Sequence, residues 1–221
     1  MDYERLSREH FDRQAPEYDQ RDTWYYSREG KISCRDVARR LNTIRYSRLL
    51  DVGCGTGYLF ELLQPAENSE WVGIDISPRM IEMARAKNIP GAEFLVGPAN
   101  HLPFTEASFD VVVCSQSFHH YPYQREAMNE VWRVLKPGGL YILADTGLGG
   151  LGGWFDNHIL FKLLRSGDCK IRNRFGIEKM MRKNGFEVLE SYNLTWMIYT
   201  VVGRKKDGEC VTFQTTARND Q

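Results

Sequence analysis

Asp51, Gly53, Gly55 and Gly57 fall within the stretch LLDVGCGTGYL. Glycine tolerates positive φ and leaves room where a side chain would clash, so Gly-x-Gly-x-Gly predicts a tight turn pressed against another group. A second acid, Asp75, closes the apolar run EWVGID, and two adjacent histidines, His119 and His120, follow another in FDVVVCSQSFHH. A neutral imidazole is a competent proton acceptor near pH 7. Backbone N–H groups, carboxylates and imidazoles are the tools of ligand binding and proton transfer.

These residues stand where elements meet. RLLDV reads as a buried parallel strand, and YLFELL opens a helix whose free N–H groups face the glycine turn. EWVGIDI is the second strand, and Ser77-Pro78 starts a helix to about Lys87 as N-cap and first helical residue. EFLVG is the third strand and FDVVVCS the fourth, apolar throughout, as in a sheet covered on both faces. After Tyr123, residues Ala127, Val131, Val134 and Leu135 keep helical spacing, and Lys136-Pro137-Gly138-Gly139 predicts a sharp stop before the fifth strand, LYILAD.

Alternating strands and helices over residues 47–145 predict an α/β fold with a doubly wound, parallel sheet. Ligands of such sheets sit beyond the carboxyl ends of the strands. Residues 1–46 read as a helical cap or arm broken by QAPEYDQRDT, residues 47–206 as the main domain, and residues 207–221 as a disordered tail. Between these, GLGGLGG is a hinge or connector, WFDNHILFKLLRSG is helical, GIEKMMRKNGFEVLESYNL is a helix and a strand broken at Gly185, and TWMIYTVVGRKK is a last strand.

The chain has 221 residues, 42% of them hydrophobic, enough for one substantial core. Its 29 basic and 29 acidic residues cancel, which removes any whole-chain attraction to nucleic acid or an anionic membrane. Five scattered cysteines without a Cys-x-x-Cys pair argue against a disulfide framework or a zinc site. No apolar run approaches membrane-spanning length and the N-terminus is charged, so a cytoplasmic protein without a membrane span is expected.

Four stretches in order, LLDVGCGTGYL, WVGIDIS, SFDVVVCSQSFHH and VWRVLKPGGLYILAD, resemble the class I S-adenosylmethionine-dependent methyltransferases. The resemblance is strongest to the broad group that includes the quinone-biosynthesis methyltransferases, and NGFEVLE with the last strand extends it to about residue 203. It implies seven strands, helices on both faces and an antiparallel final strand. It also implies S-adenosyl-L-methionine as cofactor, its methionine end against Gly53, Cys54, Gly55 and Gly57, with Asp51 meeting the ammonium directly or through water. Asp75 would take both ribose hydroxyls. Ile76 and Met80 would flank the adenine, core packing being the alternative for Met80, and Ser115 is a further cofactor-binding candidate. Related chains often read Gly-Asp-Ala where this one reads GPAN, so Pro98 removes an acidic contact to the adenine amino group. Ala99 N–H and Asn100 remain as substitutes.

For the acceptor, His119 and His120 are candidates to remove or orient a proton, with packing or helix capping as the plainer role. HFDRQAPEYD resembles a stretch that folds over the cofactor, placing Tyr18 to close the site, while Trp24 to Tyr26 line a pocket or bury against the core. Lys170, Arg172 and Arg174 form a solvated surface or meet an acidic group on the acceptor. The loop after the fourth strand lacks the Asp/Asn-Pro-Pro-Tyr pattern of enzymes that methylate exocyclic amines, so a small-molecule acceptor and no nucleic acid are expected. Whether the chain forms a homodimer is open. Two competing functions are a non-catalytic S-adenosylmethionine-binding protein and a nicotinamide-dependent oxidoreductase. The glycine spacing opposes the second, because Tyr58 stands where Gly-x-Gly-x-x-Gly needs its third glycine.

Overall fold

The computed structural model describes residues 2–19, 26–64, 69–147 and 169–206. The glycine run from Leu148, the WFDNHILFKLLRSG segment, the tail from Asp207, and Trp24 with Tyr25 lie outside them.

The chain opens with α1 (Tyr3–Gln14), a short 3-10 turn at Ala15–Glu17 and α2 (Tyr26–Leu41). Then follow β1 (Arg48–Val52), α3 (Tyr58–Glu61), β2 (Glu70–Asp75), α4 (Pro78–Ala86), β3 (Ala92–Val96) and β4 (Phe109–Ser115). A 3-10 turn at Phe118–His120 leads to α5 (Gln124–Val134) and β5 (Leu135–Thr146), and α6 (Arg174–Lys183), β6 (Phe186–Asn193) and β7 (Ile198–Lys205) complete the series. The seven strands form one sheet in the order β3-β2-β1-β4-β5-β7-β6. β1 pairs in parallel with both β2 and β4, whereas β7 runs antiparallel to β5 and β6. The seven-stranded α/β sheet with an antiparallel last strand is the architecture expected.

Successive strand residues face opposite layers, which explains the continuous apolar runs. Leu50, Val52, Val112 and Cys114 pack with Ala127, Val131, Ile177 and Met181 of α5 and α6. Leu49, Val111 and Val113 pack instead with Val37 and Leu41 of α2, Leu59 and Phe60 of α3, and Ile81 and Ala84 of α4.

Four local expectations need correction. The helix after the glycine turn is only four residues long, Tyr58–Glu61, because Leu62 and Leu63 already turn back on 3-10 bonds to Leu59 and Phe60. Leu135 is not helical; it is the first, extended residue of β5. The Lys136-Pro137-Gly138-Gly139 stop lies within β5 as an irregularity, since Leu135 pairs with Phe109 and the ladder resumes at Leu140 opposite Val111. The last strand starts at Ile198 rather than near Thr195, whose hydroxyl accepts from the Ile198 N–H at 3.0 Å in the turn before it.

The arm is tied to both ends of the sheet. Ser77 caps α4 by accepting from Met80 N at 3.1 Å, while its own hydroxyl donates to Asp12 of α1 at 2.6 Å. At the other end Asp36 of α2 accepts from Tyr192 at 2.7 Å and Thr200 at 3.0 Å, on β6 and β7.

Candidate functional site

The sheet order changes direction between β1 and β4, and a crevice opens there beyond the strand ends. The turn after β1 is stitched to β2 by bonds from Gly53 N and Cys54 N to Ile74 O, at 2.7 and 3.1 Å. All three glycines take positive φ, but for different neighbours. A Cβ at Gly53 would collide with Ser117 Oγ, and one at Gly57 would lie 2.9 Å from Phe94 Cζ. A Cβ at Gly55 would meet nothing within 4 Å. Gly53 and Gly57 therefore serve close packing, and Gly55 turns its bare face to open space; Gly57 lies outside the cavity wall.

That space is a cavity of about 920 Å³. Its wall includes Asp51, Gly53, Cys54, Gly55, Asp75, Ile76, Met80, Ala99, Asn100 and Ser115, as well as Tyr18, His119 and His120. The volume lies toward the upper end of small-molecule sites, about 300–1,000 Å³. Met80 is also 1% exposed, so it packs in the core while touching the wall. Pro98 lines the wall where an acid was expected from the resemblance.

Two carboxylates dominate one side. Asp75 accepts Gly55 N–H at 2.9 Å on Oδ2 and Ser77 N–H at 2.9 Å on Oδ1, which orients it and leaves lone pairs for a ligand. Desolvation raises its pKa above the ordinary value. Asp51 is 3% exposed and its Oδ1 has no hydrogen-bond partner. Burial, helped by the neighbouring charge of Asp75, pushes its pKa up to about 8. An unsatisfied buried carboxyl is costly, and a cationic or N–H-bearing ligand would relieve it.

The other side is built on the segments after β4 and β5. His119 Nδ1 lies 2.6 Å from Asp145 Oδ1, both side chains buried. Asp145 also receives His119 N at 3.0 Å and Thr146 N at 2.8 Å, so two backbone donors and the imidazole converge on it. The His120 ring stands 4.0 Å from that of His119 and meets Phe11 of the arm edge-on at 4.9 Å. The structure thus separates the two histidines: a carboxylate holds His119, and an aromatic of the arm packs on His120. Tyr18 lines the cavity, and desolvation, then Cys34, Asp75 and Asp19, hold its phenol well above the ordinary value. It stays protonated and suits closure and donation rather than proton removal.

The arm's position rests on Asp19 as well as Asp12. Asp19 accepts from Thr56 of the glycine turn at 2.7 Å and pairs with Lys87 at 2.8 Å. Arg172 donates to Gln124 at 2.6 Å, and Arg174 pairs with Glu178 at 3.1 Å, so these two cations of the expected basic cluster have internal partners. Sequence reading missed Asp145, Ser117 and the Asp12 cap. Asp145 had a signal: like Asp51 and Asp75, it stands at the carboxyl end of an apolar strand. Asp12 had none, since its partners are 65 and 67 residues away.

Among the described residues, no group of three or more His, Cys, Asp or Glu could hold a metal ion, and no helix is long and apolar enough to cross a membrane.

Residues 50–143 match a protein-family model for a methyltransferase domain. A phthiotriol/phenolphthiotriol dimycocerosates methyltransferase of Mycobacterium leprae is 41% identical over 103 residues, 44% of this chain and 37% of that protein. A demethylmenaquinone methyltransferase of Deinococcus radiodurans is 40% identical over 104 residues, 44% of this chain and 42% of that protein. The chain thus spans less than half the length of these two curated relatives. Among solved structures, a chain from the complex of the Haloferax volcanii Trm112 methyltransferase activator with a methyltransferase has the same fold. Its TM-score is 0.77 at 20% identity, covering 92% of this chain and 99% of that one. With the glycine turn, the strand-end acids and the sheet order in place, the chain is similar to known methyltransferases, and its residues 50–143 match a methyltransferase domain.

Proposed function

We propose that the cavity binds S-adenosyl-L-methionine and that the chain transfers its methyl group to a small-molecule acceptor, releasing S-adenosylhomocysteine. The observation that carries this reading is the buried, unpartnered Oδ1 of Asp51 on the cavity wall. The cofactor's ammonium would satisfy it, its amino-acid chain would lie along the bare face of Gly55, and its ribose hydroxyls would take the remaining lone pairs of Asp75. Ile76 and Met80 offer apolar walls to the adenine, with Ala99 and Asn100 at its edge.

When bound, the cofactor supplies a methyl group on a cationic sulfur, for which an aligned nucleophile about 3–3.5 Å away is the main requirement. Tyr18 and Phe11 of the arm, residues 1–46, would then cover the 47–206 domain and keep water out. A cavity of about 920 Å³ favours a small acceptor over a nucleic acid. Among the described residues, Cys34, Cys54 and Cys114 are thiols outside any disulfide, which suits the reducing cytoplasm.

Calorimetric titration with S-adenosylmethionine, S-adenosylhomocysteine and NAD tests the reading. Micromolar binding of the first two, weakened by Asp75→Ala, supports it. Binding of NAD alone, or of none, refutes it.

A further inference from the structure

We infer that Ser117 and Tyr121 are positioning residues whose hydroxyls clamp the Val52 carbonyl, fixing the turn that holds the cofactor's amino-acid end against the segment after β4. The inference rests on the methyltransferase reading and adds two residues to its machinery. The β1–β4 ladder ends with Asp51 opposite Val113, one residue short of Val52. Val52 is 1% exposed, so its carbonyl is buried at the point where the two strands part, and an unpaired buried carbonyl is costly. Ser117 Oγ donates to Val52 O at 3.0 Å and Tyr121 OH at 2.9 Å.

These two residues flank the Phe118–His120 turn as its N-cap and C-cap, so both ends of the histidine-bearing turn are pinned to one atom. The bare face of Gly53 admits them: a Cβ there would collide with Ser117 Oγ and lie 2.7 Å from Tyr121 OH. The N–H of the same peptide unit, Gly53 N, donates to Ile74 O at 2.7 Å. The Val52–Gly53 peptide is thus held by β2 on one side and by the segment after β4 on the other, between Asp51 and Gly55. In-line transfer needs reacting atoms about 3–3.5 Å apart, and a misplacement of about 1 Å costs on the order of 10²-fold. A spacing set by hydrogen bonds through one carbonyl meets that demand.

The protons settle how the clamp works. Ser117 Oγ and Tyr121 OH lie 2.8 Å apart, and Cys114 Sγ lies 3.1 Å from Ser117 Oγ. Burial pushes the Cys114 thiol up to about 12 and holds the Tyr121 phenol well above its ordinary value, so both keep their protons. The thiol donates to Ser117, the phenol to Val52 O, and the Ser117 proton serves either Tyr121 OH or Val52 O. Either hydroxyl alone therefore satisfies the carbonyl, and only the loss of both leaves it orphaned. A plain packing contact has no such redundancy.

Two measurements on the full chain test the clamp without an acceptor. The first is hydrogen exchange at Gly53 N–H, read by NMR in the ligand-free protein, because a carbonyl that accepts hydrogen bonds strengthens the N–H bond of its own peptide unit. Ser117→Ala and Tyr121→Phe should each change its rate by no more than about twofold, and the double variant should raise it by about 10- to 100-fold, with Ile142 N–H on β5 unchanged. The second is calorimetric titration with S-adenosylhomocysteine. Affinity should fall by no more than about twofold in each single variant and by about 10- to 100-fold in the double, beyond the product of the singles. Thermal unfolding separates this from lost stability, since well below its midpoint a less stable chain is still folded and keeps its dissociation constant. Ser117→Cys with Tyr121→Phe keeps the shape but leaves only a weak thiol donor; it should fall between the single and double variants, and it reads the coupling if the double variant does not fold. Losses that simply multiply, a double variant that binds like the unmodified chain, or Gly53 exchange that rises only together with that of Ile142 overturns the clamp. Failure of the unmodified chain to bind S-adenosylhomocysteine refutes the methyltransferase reading instead.

Discussion

At the β1–β2 end the cavity wall is mostly backbone: a turn stitched to Ile74 O, a bare Gly55, and two acids fixed by their place at strand ends. At the β4–β5 end it is side chains from separate segments, with His119 on Asp145, Phe11 on His120, and Tyr18 reaching in from the arm. The first end depends on spacing within one contiguous stretch. The second depends on how distant segments meet. A fold can keep the first end unchanged while the second is rebuilt for different acceptors.

The largest expected effect breaks the backbone end. Gly53→Ala should destabilise the chain by about 2–5 kcal/mol, from the positive φ plus the collision with Ser117. Gly55→Ala should cost only the φ strain of about 1–2 kcal/mol, because its Cβ meets open space, yet it should weaken cofactor binding more than its stability loss suggests. Urea melts paired with calorimetry decide this; equal stability losses at the two positions would erase the distinction between a packing glycine and a ligand-facing one.

Next comes Asp75→Ala. Losing charge-assisted bonds worth about 1.5–3 kcal/mol each should lower S-adenosylmethionine affinity by about 10- to 100-fold while leaving the His119–Asp145 contact in place. A shift of the His119 ring resonances in the same variant would mean the two ends are mechanically coupled.

A smaller effect sharpens the electrostatics of Asp51. Its pKa is about 8 in the ligand-free fold, against about 3.9 when unfolded. A carboxyl raised on folding contributes stability below the unfolded value and loses it as pH rises through the folded one. The ligand-free protein should therefore weaken from about pH 4 to about pH 8, and Asp51→Asn should flatten that slope. Pairing with a cationic ligand favours the ionised form, so binding at pH 7 should release a proton. Calorimetry in buffers of different ionisation enthalpy reads it, and proton uptake would contradict the assignment.

The smallest effect lies in the arm. Asp12→Ala removes the acceptor for Ser77 Oγ and Arg79 N, and should cost about 1 kcal/mol of stability. Protease cleavage within the arm should rise accordingly.

The same division governs what the sequence could reveal. Asp51, Asp75 and the glycine turn were readable because strand, turn and helix signals lie next to each other in LLDVGCGTGYL and WVGIDIS. The sheet was readable because its strands are apolar on both faces. The difference in surroundings between His119 and His120 was not, because it comes from Asp145, 26 residues away, and from Phe11 on the arm. Nor could spacing tell Gly55 from Gly53, since both have positive φ and only the neighbours differ. The β5 irregularity was hidden because Lys-Pro-Gly-Gly carries the same signals at a helix end as at a break in a ladder.

The bonds from Asp36 to Tyr192 and Thr200 span 156 and 164 positions of the chain. Helix α2 leaves the ribosome well before these partners, which lie on β6 and β7. Helix α2 cannot lock onto that end of the sheet until β7 has been made, whereas the ties from Asp12 and Asp19 to Ser77, Thr56 and Lys87 need nothing beyond α4, so the arm docks in two stages. A nascent chain stalled before residue 192 should accordingly have its glycine turn in place and α2 more accessible to protease than α1.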